Sequence, residues 1–269
     1  MGHHRHEFHE LLWVDQGHSR QVVDLHEYHL QPGELLFMPR GCVHWYEGRE
    51  ACFGGMLLFN DEFLTAAQAE GLRFFSLFDP LRSSLRCVPA AAEWASIGRL
   101  LAEMQHEQAH PTPVGGAAVL QSLLVAVLHK LEAATGPAAR VKNNEPAGIS
   151  QRFRVLLEAH FRTEHGVGFY AAALGCSPRQ LTTALQAATG QPARHLIGER
   201  LVLEAKRYLA YTDHRVSEVA YALGFEDPAY FSRLFRQKTG HSAAVFRAHL
   251  VETSRKSGNS SNGSGPGGR

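Results

Sequence analysis

Val216-Ser217-Glu218-Val219-Ala220-Tyr221-Ala222-Leu223-Gly224-Phe225, then Asp227-Pro228, Tyr230-Phe231-Ser232-Arg233-Leu234-Phe235-Arg236 and Thr239-Gly240, is the stretch on which the fold of this chain turns. It reads as a short helix stopped by glycine, then a tight turn and a second helix over 229–239. An N-capping aspartate opens that second helix, and proline at its first position sacrifices no hydrogen bond. The same grammar stands 50 residues earlier: a helix over 169–174, Gly175-Cys176, then Ser177-Pro178 opening 179–189 and Gly190 closing it. Gly175 and Gly224 fall where a helix must end in a left-handed residue. Helix, glycine turn and capped helix is the geometry that presents one helix end to the DNA major groove. An ordinary helical hairpin is the rival for a single copy; two copies joined by a long helix over 193–210 argue against it.

Charge supports the same reading. The net charge is +1, but residues 1–148 carry 11 Lys+Arg against 17 Asp+Glu, and residues 149–256 carry 15 against 9. A split of −6 and +6 argues that the second half meets a polyanion and the first does not. Eleven of the 17 histidines lie in the first half, four of them within the first nine residues. The four cysteines (Cys42, Cys52, Cys87, Cys176) form no metal-binding or redox pair and are too sparse for a disulfide scaffold, so a reducing cytoplasm is expected. No apolar run approaches the roughly 20 residues of a membrane span, and the histidine- and glutamate-rich start is unlike a secretory signal.

Upstream of the helical half the grammar changes. Over 9–58, short apolar runs alternate with Gln16-Gly17, Pro32-Gly33 and Pro39-Arg40-Gly41, the pattern of a small antiparallel barrel. Residues 91–108 place Trp94, Ile97, Leu101 and Met104 three or four apart, Pro111-Thr112-Pro113 breaks the run, and 117–133 is a second apolar helix. The expected organisation is therefore α+β: a barrel over 1–90, a helical coupling segment over 91–134, a breaker-rich linker over 135–148, a helical domain over 149–252 and a Ser/Gly-rich disordered tail over 253–269.

With these motifs in view, the stretch from 167 to 249 resembles the DNA-binding domain of the AraC/XylS family of transcription regulators, most specifically in the second unit quoted above. The resemblance implies two helix-turn-helix units bridged by a linker helix and inserted into successive major-groove segments. His4-x-His6-x3-Glu10-x6-Gly17 and Gly33-x5-Pro39-x-Gly41-x2-His44 resemble the two cupin motifs, and hence the cupin-like sensor that precedes the DNA-binding domain in many such regulators. A complete barrel of this kind normally has one or two earlier strands, so the chain is expected to start inside it.

Candidate site residues follow from position. On the second recognition helix Phe231, Leu234 and Phe235 share a core face, leaving Pro228, Ala229, Ser232 and Arg233 outward. Arg233 suits bidentate pairing with guanine, worth about 1–3 kcal/mol of discrimination. On the first, Leu181 and Leu185 are core and Arg179, Thr182 and Thr183 are the matching outward positions, with Arg179 as base reader. Arg194, Arg236 and Lys238 are assigned to phosphates, which supply affinity without sequence information. The first helix carries Ala184, Gln186, Ala187 and Ala188 where family members usually have more cations, which implies a weaker hold on the backbone.

In the barrel, strand alternation places His4 and His6 on one face and Glu10 on the same parity if the strand stays regular. With His44 they form an effector site or a site for a divalent metal such as zinc, iron, manganese or nickel. His9 points the other way, as a packing or pocket-edge residue. The expected function is a small-molecule-controlled transcription regulator, and an activator working through RNA polymerase. It is not an enzyme or a membrane protein; it dimerises through 91–134 and binds double-stranded promoter DNA. The rival is a metal-dependent cupin enzyme with an appended helical domain. A third reading is a constitutive DNA binder whose barrel only dimerises.

Overall fold

The computed structural model describes residues 4–46, 52–82, 84–134 and 148–250. The expected linker, apart from Gly148, and the expected tail lie outside the described residues. The chain falls into two compact units, Met1–Val155 and Leu156–Arg269, and the division runs through a helix, Ile149–His160.

In the first unit the short apolar runs form eight strands: β1 (His4–Arg5), β2 (His9–Gln16), β3 (Ser19–Val23), β4 (His26–Leu30), β5 (Leu35–Met38), β6 (Val43–Tyr46), β7 (Phe53–Phe59) and β8 (Arg86–Cys87). They pair antiparallel in two four-stranded sheets, ordered β1-β6-β3-β4 and β7-β2-β5-β8. The barrel expected from the turn spacing is thus a pair of sheets, with no hydrogen-bonded ladder joining their edges among the described residues. The first motif is also broken. The condition of a regular strand from His4 to Glu10 is not met: β1 ends at Arg5, and Glu10 lies on β2 in the other sheet.

Alternation along β2 decides what each face meets. Leu11, with Leu35 and Phe37 of β5 and Phe59 of β7, packs on Ile97, Leu101 and Met104 of one helix and on Leu124, Val127, Leu128 and Leu131 of another. The opposite face sends Val14, Leu36 and Met38 against Val23, Leu30 and Cys42. After the short α1 (Ala66–Leu72), those two helices are α2 (Ala91–Ala109) and α3 (Gly116–Ala134), within two residues of the periodicity reading. Against the expectation that no apolar run approaches a membrane span, α3, with 19 residues and a mean hydropathy of 1.4, is apolar and long enough to cross a membrane by composition alone. Its 3–4-residue stripe of buried leucines and valine nonetheless belongs to the core beneath the sheet. Two buried carboxylates brace this layer. Glu132 of α3 accepts from the amides of Ser76 (2.9 Å) and Leu77 (3.2 Å), and Glu107 of α2 accepts from the amide of Thr112 (2.7 Å).

The helix across the division is α4 (Ile149–His160), and the second unit continues with α5 (Val167–Ala173), α6 (Pro178–Thr189), α7 (Ala193–Tyr211), α8 (Val216–Ala222) and α9 (Pro228–Thr239). The repeat seen in the sequence holds in the hydrogen bonds of its turn and of its closing threonine. The amide of Cys176 donates to the Ala171 carbonyl at 3.0 Å, and that of Phe225 donates to Ala220 at 3.0 Å. The Thr189 hydroxyl donates to the Leu185 carbonyl at 2.8 Å, and the Thr239 hydroxyl donates to Phe235 at 2.8 Å. Gly175 and Gly224, at φ 69° and 77°, make the turns. They differ in one respect. A Cβ on Gly224 would stand 2.0 Å from the Arg162 carbonyl oxygen, whereas one on Gly175 would meet nothing within 4 Å.

The linker helix α7 packs against α6, α8 and α9 and carries a buried charge cluster. Glu204, fully buried, accepts from Arg162 (3.0 Å), Arg200 (3.1 Å) and Arg207 (3.1 Å). Arg200 also donates to Glu158 at 2.8 Å and lies 3.8 Å over the Phe161 ring. Buried charges persist only when paired in this way.

Candidate DNA interface and sensor site

Each recognition helix is aimed by its own apolar stripe. Leu181 and Leu185 of α6 and Phe231 and Phe235 of α9 are buried, each worth about 1.5–3 kcal/mol of burial. That fixes the rotation of both helices and turns the opposite sides outward. Leu234, expected in the core, is only half-buried. Their starts are fixed by caps. The Ser177 hydroxyl accepts from the Gln180 amide at 3.2 Å, and Asp227 accepts from the amides of Ala229 (2.8 Å) and Tyr230 (3.2 Å). Both helices end at left-handed glycines, Gly190 and Gly240.

Among the predicted contacts, Arg179, Thr183, Arg194, Ala229, Arg233 and Arg236 are exposed. Thr182, Pro228 and Ser232 are half-buried, and the Ser232 hydroxyl donates to the Pro228 carbonyl at 2.9 Å. Arg233 reaches the Asp227 carboxylate at 3.6 Å, an exposed pair that orients the guanidinium without burying it. Lys238 is placed differently from the expectation. Its ammonium lies 2.9 Å from His195 Nδ1 and 3.1 Å from Glu199 of α7, so it ties α9 to the linker helix rather than standing free for a phosphate. Tyr230, left out of the outward-facing set above, is an exposed aromatic at the start of α9 with the Arg233 guanidinium 5.9 Å from its ring. Its exposure amid a run of core aromatics is legible only once the rotation of the helix is known.

In the first unit three of the four predicted residues converge. Glu10 Oε2 lies 3.5 Å from His6 Nε2 and 3.4 Å from His44 Nε2, and Glu10 and His44 are buried. One ligand atom from each of the three lies within 4.8 Å of the others. The backbone of His4 is in register with His44, but the His4 side chain is not described. Glu10 is flanked across the sheet by Met38 on β5 and Leu58 on β7, and Met56 shares that face one pair further along. Met56 and Leu58 are large apolar side chains left exposed beside a buried carboxylate. His9 packs as read. It is buried among Phe37, Phe59 and Phe78, accepts from the Arg40 amide at 3.1 Å, and meets Asp61 at 3.0 Å. That hydrogen bond, aided by the charge of Arg40, holds the Asp61 carboxyl below the usual aspartate range.

Residues 1–124 match the model of the AraC-like ligand binding domain, and residues 170–249 match a helix-turn-helix domain model. The chain is 25% identical over 250 residues to the HTH-type transcriptional activator RhaS of Enterobacter sp. (strain 638), spanning 91% of this chain and 86% of that one. It is 27% identical over 242 residues to RhaS of Klebsiella pneumoniae (strain 342), spanning 87% and 83%. Among solved structures it is similar to unsaturated fatty acid-bound ToxT from Vibrio cholerae strain SCE256. There the identity is 11%, the coverage 91% of this chain and 90% of that one, and the TM-score 0.45.

Proposed function

Because the chain belongs to the AraC/XylS family of transcription regulators, with a ligand-binding domain ahead of a helix-turn-helix domain, we propose that it reads a promoter through the outward faces of α6 and α9. Arg179, Thr182 and Thr183 meet base edges in one major-groove segment; Pro228, Ala229, Ser232 and Arg233 do so in the next. Arg194 and Arg236 neutralise phosphates, and Lys238 holds α9 on α7. The end of the sheet pair at His6, Glu10 and His44 receives the effector. The protein works as a homodimer joined through α2 and α3 and activates transcription by contacting RNA polymerase in the cytoplasm. This makes it a binding protein rather than an enzyme.

One observation carries the reading: two N-capped, proline-started helices whose apolar stripes are buried and whose opposite sides carry exposed arginines, in the half of the chain with positive charge. A dimer suits this, since linking two modest binders raises avidity without new contacts. The effector must bind one arrangement of the protein better than another, or it shifts nothing.

The test is to recover, at stated salt, the duplexes that the full-length protein retains from sheared DNA of its own genome. The strongest site is then titrated with wild type and Arg233→Ala. Loss of about 1–3 kcal/mol of discrimination at one base pair, with the other positions unchanged, is expected. A uniform loss across all positions removes Arg233 from base reading, and no retained duplex removes the reading altogether.

A further inference from the structure

We propose that the effector of the first unit is a divalent first-row transition-metal ion, held by His6, Glu10 and His44 and sensed by the DNA-binding activity. The inference rests on the regulator reading above and names the ligand class of its sensor site. Its ground is the spacing of three side chains, two on strands of different sheets and one in the segment that follows β1. The Glu10 carboxylate stands 3.4 and 3.5 Å from the two imidazole nitrogens. Those separations exceed the roughly 2.7–3.2 Å of a good N–H···O hydrogen bond. Both match the edge, about 3.4 Å, of a tetrahedron about a metal whose ligands stand about 2.0–2.1 Å away; the third side, His6 to His44, lies within 4.8 Å and must close toward that length when the metal binds. Two imidazoles and one carboxylate are a donor set that such ions take readily, whereas calcium and magnesium prefer oxygen alone.

The site is also placed to signal. Glu10 lies on β2 in one sheet and His44 on β6 in the other, while His6 follows β1 in the segment between them. The three donor atoms are within 4.8 Å of one another, so closing a coordination sphere draws His6 and His44 together about the Glu10 oxygen. The next residue along β2, Leu11, is buried in the cluster that holds Leu124, Val127, Leu128 and Leu131 of α3. A displacement of β2 therefore reaches α3 through packed side chains. Three protein ligands leave at least one coordination position for water or a small anion.

The experiment uses the full-length chain freed of metal by chelation and titrated with cobalt(II), then zinc(II). Metal uptake is read by calorimetry and by the cobalt absorption spectrum. The operator recovered from genomic DNA is titrated with and without metal. The expected result is one equivalent of metal per chain and a change in operator affinity of about 5- to 150-fold, the usual range of coupling between sites. Glu10→Gln is expected to weaken metal binding at least about 100-fold, more than the loss of an outer-sphere partner costs, and to abolish the shift in operator affinity.

Glu10→Gln keeps every imidazole, including those of His3 and His4 in the sequence. Wild-type metal affinity in that variant would therefore assign uptake to the histidine-rich start and overturn the site. His44→Gln, checked for folding by circular dichroism, repeats the test from the other sheet, and unchanged affinity there has the same meaning. Stoichiometric uptake with unchanged operator affinity overturns the sensing role. A protein that retains no duplex in either metal state overturns the DNA-binding reading instead, and its metal stoichiometry is scored independently of that failure.

Discussion

Single side chains in the second unit divide by whether their charge is already spent. Arg236 is exposed, whereas the Lys238 ammonium is bound to Glu199 and His195. Each phosphate neutralised contributes about 0.9 to the slope of log affinity against log salt. Arg236→Ala is therefore expected to flatten that slope by about 0.9 and Lys238→Ala to leave it unchanged, measured by titrating the operator at several salt concentrations. An equal flattening in both variants would return Lys238 to the phosphates. In the first unit Asp61 gives a pH test. Its hydrogen bond to His9 holds its carboxyl below the unfolded aspartate value, so the stability it contributes is present above that value and is lost as pH falls through the lower, folded one. Urea unfolding between pH 6 and 3, read by tryptophan fluorescence, should show acid destabilisation that Asp61→Asn reduces. All three tryptophans (Trp13, Trp45, Trp94) lie in the first unit, so this signal reports on it alone. The chain order also hides residues like these. His9 and Asp61 stand 52 positions apart, and no periodicity announces their pairing.

Elements were far more legible, because local chemistry dictates them. Ser177, Pro178 and Gly190 bound one recognition helix, and Asp227, Pro228 and Gly240 bound the other, at the positions their caps require. The three-to-four-residue spacing in 91–133 gave α2 and α3 for the same reason. Strand partnership was not legible. Glu10 does share a face with the buried cluster, but it lies in a different sheet from β1, because the chain bends over residues 6–8 and alternation cannot be carried across a bend. What distinguishes the two turns was equally invisible. Gly175→Ala meets open space, so it is expected to cost only the left-handed backbone penalty of about 1–2 kcal/mol. Gly224→Ala adds a collision with the Arg162 carbonyl, at about 1–3 kcal/mol more. Chemical denaturation followed by helical circular dichroism should rank them in that order, and equal losses would mean that the loop at Arg162 yields freely.

For the molecule as a whole, the split of charge between the halves was a correct pointer to where DNA-binding chemistry resides, since it needs only summed charges. The ion cluster on α7 was not legible. Arg162, Arg200, Glu204 and Arg207 look in the sequence like an ordinary solvated run, and only packing reveals a fully buried carboxylate among three guanidiniums. Glu204→Ala would leave Arg200 and Arg207 buried without it, a loss of about 3–5 kcal/mol. The expected outcome is loss of operator binding and of part of the helical circular dichroism, with the tryptophan-reported transition unmoved. A shifted tryptophan transition would show that the damage is not confined to the second unit. The same cluster sets a rule for anyone wishing to re-target this regulator by exchanging halves with a relative. A seam cut through α7 separates the carboxylate from cations contributed on either side of it, so a hybrid joined there inherits mismatched partners. Transplants that preserve solubility and specificity should carry the entire stretch from Glu158 to Arg207 as one cassette, whichever reading head is being replaced.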